Sequence, residues 1–291
     1  MHRPDISAIV VTLNEGLQLC HTVEQLRATL PSPSEIVVVD DGSTDGSLDF
    51  LGDASEGVTV LRTSEVGVAR ARNAGARAAR GDILVFCDAH IAMEPGSWEP
   101  LIELSQAPKV GAVNPAVCDY HDPGRIGYGL KFGKFDLEVE WLGEGTGEPR
   151  PVPLLAWACA VMRRDVFDAT GGFDAGMIRW GSIDNEMSLR LWLEGHELWV
   201  MPRVRVAHAF RNERPYPVAW SPSLHNRLRL AFVHFEQADR ALVVDALRSH
   251  EAFPAAVALT IEGDIPARRR ALAGRKVYDG TWFIDRFGPA R

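Results

Sequence analysis

Cysteine is scarce in this chain: four stand in 291 residues. They fall at Cys20, Cys87, Cys118 and Cys159, with no Cys-x-x-Cys spacing. That scatter excludes a zinc ribbon or a disulfide scaffold and reads as reduced thiols. Long apolar runs are also missing. The longest, Leu154 to Met162, is about half of the ~20 residues needed to cross a bilayer. The opening MHRPDISAIVVTLNE has no apolar segment long enough for a signal peptide, so a soluble, cytoplasmic protein is expected, with peripheral membrane contact left open. Positive charge is in deficit, with 31 Lys and Arg against 39 Asp and Glu and a net charge of −8. Nucleic-acid binding needs a clustered basic excess, so no nucleic-acid partner is expected. The first turn, TLNEGLQLC, lacks Gly-x-Gly-x-x-Gly and so argues against a dinucleotide-binding oxidoreductase. The Gly-rich, basic first loop of nucleotidyltransferases is absent too.

What remains is ordinary for a globular chain with a sizeable core: 46% apolar and 24% charged residues. Three short Val/Ile-rich stretches recur at residues 6–14, 35–43 and 82–90, each bounded by Gly, Pro or Asp. Such runs suit strands buried on both faces of a parallel sheet. Helical stretches separate them, at residues 15–29 and in the Ala/Arg-rich 66–80. The alternation predicts an α/β, mostly parallel, doubly wound sheet flanked by helices. Residues 115–150, rich in Gly and Pro, read as long loops. A strand and short helix follow at 154–173, a helix at 184–197 ending at Gly195, a strand or pair of strands ending at His208, and a mostly helical remainder.

In a doubly wound sheet, ligands sit beyond the carboxyl ends of the strands. Asn14, Asp40, Asp41, Asp88 and His90 all fall there. Asp45 reads equally well as part of a turn that caps the next helix. Asp88 and His90, at i and i+2 on a strand end, point the same way and can meet one cation. A carboxylate–imidazole pair suits Mn²⁺, or Co²⁺ and Zn²⁺, better than Mg²⁺, although on its own Asp-x-His is as well explained as a strand-end cap. His208, at another strand end, gains meaning if it closes on the same ion. Of Arg70, Arg72, Arg77 and Arg80, most belong on an outer solvated face, with one expected in the cleft. Asp184 and Glu186 open a helix. Acids are favoured there for capping, and one of them is also placed to act as a general base.

As a set, these motifs are similar to those of family 2 glycosyltransferases with the GT-A fold. TLNE (Thr12 to Glu15), VVDDGSTD, the Ala/Arg/Asn-rich helix before an acidic strand end, and the late Asp-x-Glu occur in the family's order over residues 6–210. The second half, FDAGMIRWGSIDNEMSLRLW followed by VRVAHAFR, resembles the catalytic domain of polypeptide N-acetylgalactosaminyltransferases. The resemblance implies a nucleotide-sugar donor, a UDP-sugar, and Mn²⁺ held by Asp88, His90 and His208, with Mg²⁺ or Co²⁺ as alternatives. Ala207 stands where those enzymes have glycine. By the same resemblance, Asp41 meets the uracil, Arg72 the nucleotide, and Thr12, Asn14, Glu15, Asp88, Trp180 and Arg211 line the donor site.

One departure divides the expectation. Those transferases retain anomeric configuration and carry Trp-Gly-Gly-Glu-Asn-x-Glu, where this chain has Trp180-Gly181-Ser182-Ile183-Asp184-Asn185-Glu186. Asp184-Asn185-Glu186 fits the Glu-Asp-x-Asp/Glu of inverting members better, so inversion is favoured, with Asp184 as base and Glu186 positioning the acceptor or donor sugar. A retaining transferase acting on a peptide, and a non-catalytic nucleotide-sugar or glycan binder, are the alternatives. The acceptor is open between glycan, peptide and small molecule. Residues 1–217 are expected to form the catalytic domain, with a nucleotide-binding half (1–114) and an acceptor-binding half (115–217). A helical extension (218–291) packs on it. Residues 211–220 are expected to close as a lid carrying Arg211 or Arg214.

Overall fold

The computed structural model describes residues 6–52, 57–211 and 219–290; Arg214 of the expected lid lies outside them. β1 (Ile6–Thr12), α1 (Leu17–Thr29), β2 (Ser34–Asp40) and β3 (Val58–Arg62) open the chain. They are followed by α2 (Val68–Ala78), β4 (Ile83–Asp88), β5 (Ile91–Met93), α3 (Trp98–Ser105) and β6 (Val110–Asp119). The middle holds β7 (Ile126–Gly127), β8 (Leu130–Phe132), β9 (Val139–Trp141) and β10 (Arg150–Pro151). Next come β11 (Cys159–Arg163), α4 (Arg164–Thr170), α5 (Ile183–Leu193) and β12 (Glu197–His208). α6 (Trp220–His234), α7 (Gln237–Leu247), α8 (Phe253–Glu262), α9 (Ile265–Ala273) and α10 (Gly280–Phe287) complete it. None of the described helices is long and apolar enough to cross a membrane.

Among the described residues the main sheet runs β10-β12-β6-β11-β4-β1-β2-β3, with β5 beside β12 and β7 beside β6. The half built from β4, β1, β2 and β3 is parallel, as expected. The other half is mixed, because β11 runs against both β4 and β6 while β6 and β12 are parallel. The expected mostly parallel sheet therefore holds for one half only.

Alternation along the strands supplies two apolar layers. Ile9, Val37, Val39, Leu84 and Phe86 face α2, α4, α5 and the C-terminal helices. Ala8, Val10, Val38, Val85 and Cys87 face the side of α1 and α3. Leu228, Ala231, Phe235 and Phe283 join the first layer, so the C-terminal helices share the core of the sheet.

Two readings of the middle are corrected. Residues 110–119 form a long strand buried between β11 and β12, although Asn114 and Pro115 look like a loop. Pro115 has no N–H to give the ladder, and the β6–β12 register shifts just beyond it, between Met201 and Arg205. Residues 126–151 hold short strands, including the β8–β9 hairpin, where loops alone were expected. Gly127 lies under the Trp141 ring, where an added Cβ would come within 2.0 Å of the indole.

Candidate active site

The strand ends converge on one cleft. Asp88 closes β4, and β5 begins at Ile91. Antiparallel pairing sets Ile91 opposite His208, and Ala209 N–H donates to the His90 carbonyl at 3.0 Å. The turn carrying Asp88 and His90 is thereby pinned against the end of β12. His90 Nε2 lies 3.1 Å from His208 Nε2, and Asp88 Oδ2 lies 3.4 Å from His208 Nε2. One ligand atom from each of Asp88, His90 and His208 falls within 4.8 Å of the others. The three residues singled out in the sequence as a metal set are thus brought together. The donor set fits a divalent transition ion: two imidazoles and a carboxylate suit Mn²⁺, Co²⁺ or Zn²⁺ better than Mg²⁺. His90 Nδ1 is engaged by Glu15 Oε2 at 3.2 Å, which turns the opposite nitrogen toward the other two ligands.

α2 delivers Arg72 to the same place. At Gly75 an added Cβ would come within 2.5 Å of Ile9 Cγ2 and 3.0 Å of Val39 Cγ2, so glycine lets the helix lie close on the sheet. Arg72, the cleft arginine expected from the sequence, is buried. Its Nη1 donates to Asp184 Oδ1 at 2.5 Å and its Nη2 to Asp88 Oδ1 at 3.3 Å. It also lies 5.2 Å from the centre of the Phe173 ring. Arg72, Arg70, Arg77 and Arg80 part as anticipated, with Arg80 spent on Glu35 at the surface.

Electrostatics distinguish the carboxylates. Burial would raise the Asp88 carboxyl, but the His208 hydrogen bond and the charges of Arg72, His90 and His208 outweigh it and hold Asp88 far below the usual range. Asp184 goes the other way: burial and neighbouring Asp88 raise it against the pull of Arg72. Its side chain is still 34% exposed. For Glu15, burial is outweighed by the bonds and charges of His90 and Arg211, and its carboxyl is lowered.

Glu186 is a correction. Its side chain is 1% exposed, and its carboxylate is enclosed by Arg190 at 2.8 Å and His234 at 2.9 Å. It does not reach the cleft and cannot position a sugar. On a helix, two residues of separation turn a side chain about 200°, so with Asp184 facing the cleft Glu186 faces the core.

The remaining expected residues have mixed placements. Asn14 braces the turn after β2, with its N–H donating to Ser43 Oγ at 2.9 Å and its Oδ1 accepting from Thr44 N–H at 2.8 Å. Asp41 is buried, accepting from Thr63 Oγ1, Val66 N–H and Gly67 N–H at 2.7–2.8 Å. Asp40 accepts from Ser43 N–H and Arg62, and Asp45 from Gly16 and Ser47. Thr12 Oγ1 is buried at the end of β1 without a partner among the described residues. Trp180 is exposed just before α5. Arg211 meets the Glu15 carboxylate. Sequence reasoning missed two exposed rings beside the metal set: Phe210, whose ring centre lies 4.4 Å from that of His208, and Trp141, 6.2 Å from Phe210 and edge-on. Phe210 was legible only as part of VRVAHAFR, and Trp141 only as a large aromatic among acidic residues.

The strand order and the side chains gathered at its strand ends go with a GT-A fold. Solved structures of similar shape include that of GalNAc-T7 with UDP, GalNAc and Mn²⁺, with a TM-score of 0.82, 24% identity, and 98% of this chain and 57% of that one covered. Another is the Pyrobaculum calidifontis mannosyltransferase PcManGT with GDP-Man and Mn²⁺, with a TM-score of 0.61, 20% identity, and 94% and 80% covered. The family model for glycosyl transferase family 2 matches residues 7–171, and the chain belongs to that family. Among its relatives, polypeptide N-acetylgalactosaminyltransferase 11 of Xenopus tropicalis is 31% identical, covering 80% of this chain and 43% of that protein. Polypeptide N-acetylgalactosaminyltransferase 15 of Homo sapiens is 31% identical, covering 78% and 39%. The chain thus spans less than half the length of these relatives.

Proposed function

We propose that the chain is a Mn²⁺-dependent glycosyltransferase that moves a sugar from a UDP-sugar to an acceptor nucleophile, with inversion. The observation that carries this reading is the convergence of Asp88, His90 and His208 at the strand ends of a family 2 fold. Those three residues would hold Mn²⁺, which supplies positive charge beside the departing diphosphate. Arg72 fixes Asp88 and Asp184 relative to one another. Asp184, with a raised carboxyl and an exposed edge, takes the proton from the acceptor hydroxyl. Trp180, exposed just before α5, would meet the sugar, and Arg211, bonded to Glu15 beside His90, would meet phosphate. A uracil at Asp41 would share oxygens that already close the 63–67 turn. Phe210 and Trp141 offer an apolar wall for the acceptor. A cytoplasmic setting goes with this reading, since four scattered cysteines with no Cys-x-x-Cys suit reduced thiols.

Retaining transfer to a peptide is the second reading. It is favoured by relatives named as polypeptide N-acetylgalactosaminyltransferases, and by the 2.5 Å bond that ties Asp184 Oδ1 to Arg72.

The test is Mn²⁺-dependent release of UDP or GDP from a panel of nucleotide sugars, with product configuration read by ¹H NMR. UDP release that is abolished by EDTA, by Asp88→Ala and by His208→Ala is expected. Full activity in EDTA overturns the metal assignment, and a product with the donor's anomeric configuration overturns inversion.

A further inference from the structure

Glu15 is held in a built position. Asn14, in the left-handed region at φ 55°, is tied to Ser43 and Thr44, and Gly16 N–H donates to Asp45 and Ser47 on the other side. The carboxylate between them is 7% exposed, and one oxygen, Oε2, faces both His90 Nδ1 at 3.2 Å and Arg211 Nη2. A carboxylate only accepts, so the imidazole carries its proton on Nδ1 and leaves the Nε2 lone pair facing His208 and Asp88.

We propose that Glu15 is a positioning residue that fixes the His90 tautomer for metal binding and ties Arg211 to it, rather than a contact to the donor. The proposal rests on the metal reading of the Asp88–His90–His208 set. Its geometry has a consequence for sequence order. Arg211 lies three residues beyond His208, so a single oxygen of Glu15 joins the end of β1 to the start of the segment after β12. The oxygen that orients a ligand also pairs with Arg211, a second cation near the ligand set besides Arg72. Removing Glu15 should therefore loosen metal binding directly, through the ring it orients, and leave the base and ribose of a nucleotide unaffected.

The experiment measures Mn²⁺ affinity of the full chain by EPR of free Mn²⁺, without nucleotide, for the native protein, Glu15→Gln and Glu15→Ala. Uridine affinity without metal, which involves no phosphate for Arg211 to meet, is measured in parallel. A 10–100-fold weaker Mn²⁺ affinity is expected for Glu15→Ala. A smaller loss is expected for Glu15→Gln, which keeps an acceptor for Nδ1–H but not the charge. Metal-free uridine affinity should stay within about 3-fold of the native value, about 0.65 kcal/mol. Long-range ¹H–¹⁵N spectra should show the Nδ1–H tautomer of His90 in the native protein and its loss in Glu15→Ala. Unchanged Mn²⁺ affinity and tautomer in both variants, with native binding intact, overturns the positioning role. Weakened metal-free uridine binding instead returns Glu15 to the donor contacts. A native chain that does not bind Mn²⁺ overturns the metal reading itself.

Discussion

Asp184 and Glu186 sit two residues apart and do opposite work. Asp184 is exposed at one edge, raised by burial and by Asp88, and paired with Arg72. Glu186 is enclosed by Arg190 and His234 and held far below its usual range, their bonds and charges outweighing its burial. Asp184→Asn removes a proton acceptor while keeping an oxygen for Arg72 Nη1. A fall in kcat of about 10²–10⁴-fold is expected, with KM for the donor nearly unchanged. A kcat within 3-fold of the native enzyme, read in the same assay, removes Asp184 as base. Glu186→Gln, by contrast, leaves a buried guanidinium without its anion, so its main effect is on stability, at about 3–5 kcal/mol in urea unfolding.

At the scale of elements, the strands that build the cleft floor were the legible part. β1, β2 and β4 are continuous Val/Ile runs with a polar residue at the end, a pattern that only a strand buried on both faces needs. β6 was hidden because Asn114 and Pro115 interrupt its apolar run, and only a register shift in β12 makes room for the proline. The metal set was legible as two separate fragments. Asp88 and His90 share a strand end, but the arrival of His208 depends on the β5–β12 and β6–β12 pairings, which no local pattern encodes. Glu15 was legible as part of TLNE, while its bond to His90 spans 75 residues and was not. The approach of α2 was also silent in sequence, since Gly75 reads as a weak helix residue. Gly75→Val places side-chain carbons where Ile9 and Val39 already stand. It should cost more than about 2 kcal/mol by overpacking, read as a lower urea midpoint. If the helix moves off the sheet, Arg72 withdraws from Asp88 and Asp184, and turnover falls by more than the folded fraction accounts for. Native stability and turnover in that variant would show that the helix does not need the close approach.

The whole molecule carries a pH dependence in its buried histidines. His234 lies where α6 meets α5, with Nε2–H donating to Glu186 Oε1 at 2.9 Å, while Nδ1 is buried without a partner among the described residues. Protonation would put a second N–H in a place with no acceptor. Burial accordingly pushes His234 down to about 4 from an ordinary 6.5, outweighing the pull of Glu186, and Lys276 and Arg190 push the same way. His225 and His196 are lowered by burial as well. In each case the unfolded chain takes up a proton before the folded one. Stability is therefore full above about pH 6.5 and falls as the pH drops toward 4. Glu186 adds to the loss only below its ordinary 4.5, because its folded carboxyl is lowered and its contribution disappears as it protonates. Between pH 7 and 4 the His234 contribution to the loss should reach up to about 3 kcal/mol. Urea midpoints measured across that range should fall steadily on acidification. His234→Gln keeps a hydrogen-bond donor for Glu186 without a titrating ring. It should be less stable than the native chain at pH 7 yet show a shallower decline toward pH 4. An equal slope in the two proteins would assign the acid sensitivity to other groups. In that event the α5–α6 contact would hold its charges without setting the pH range of the fold.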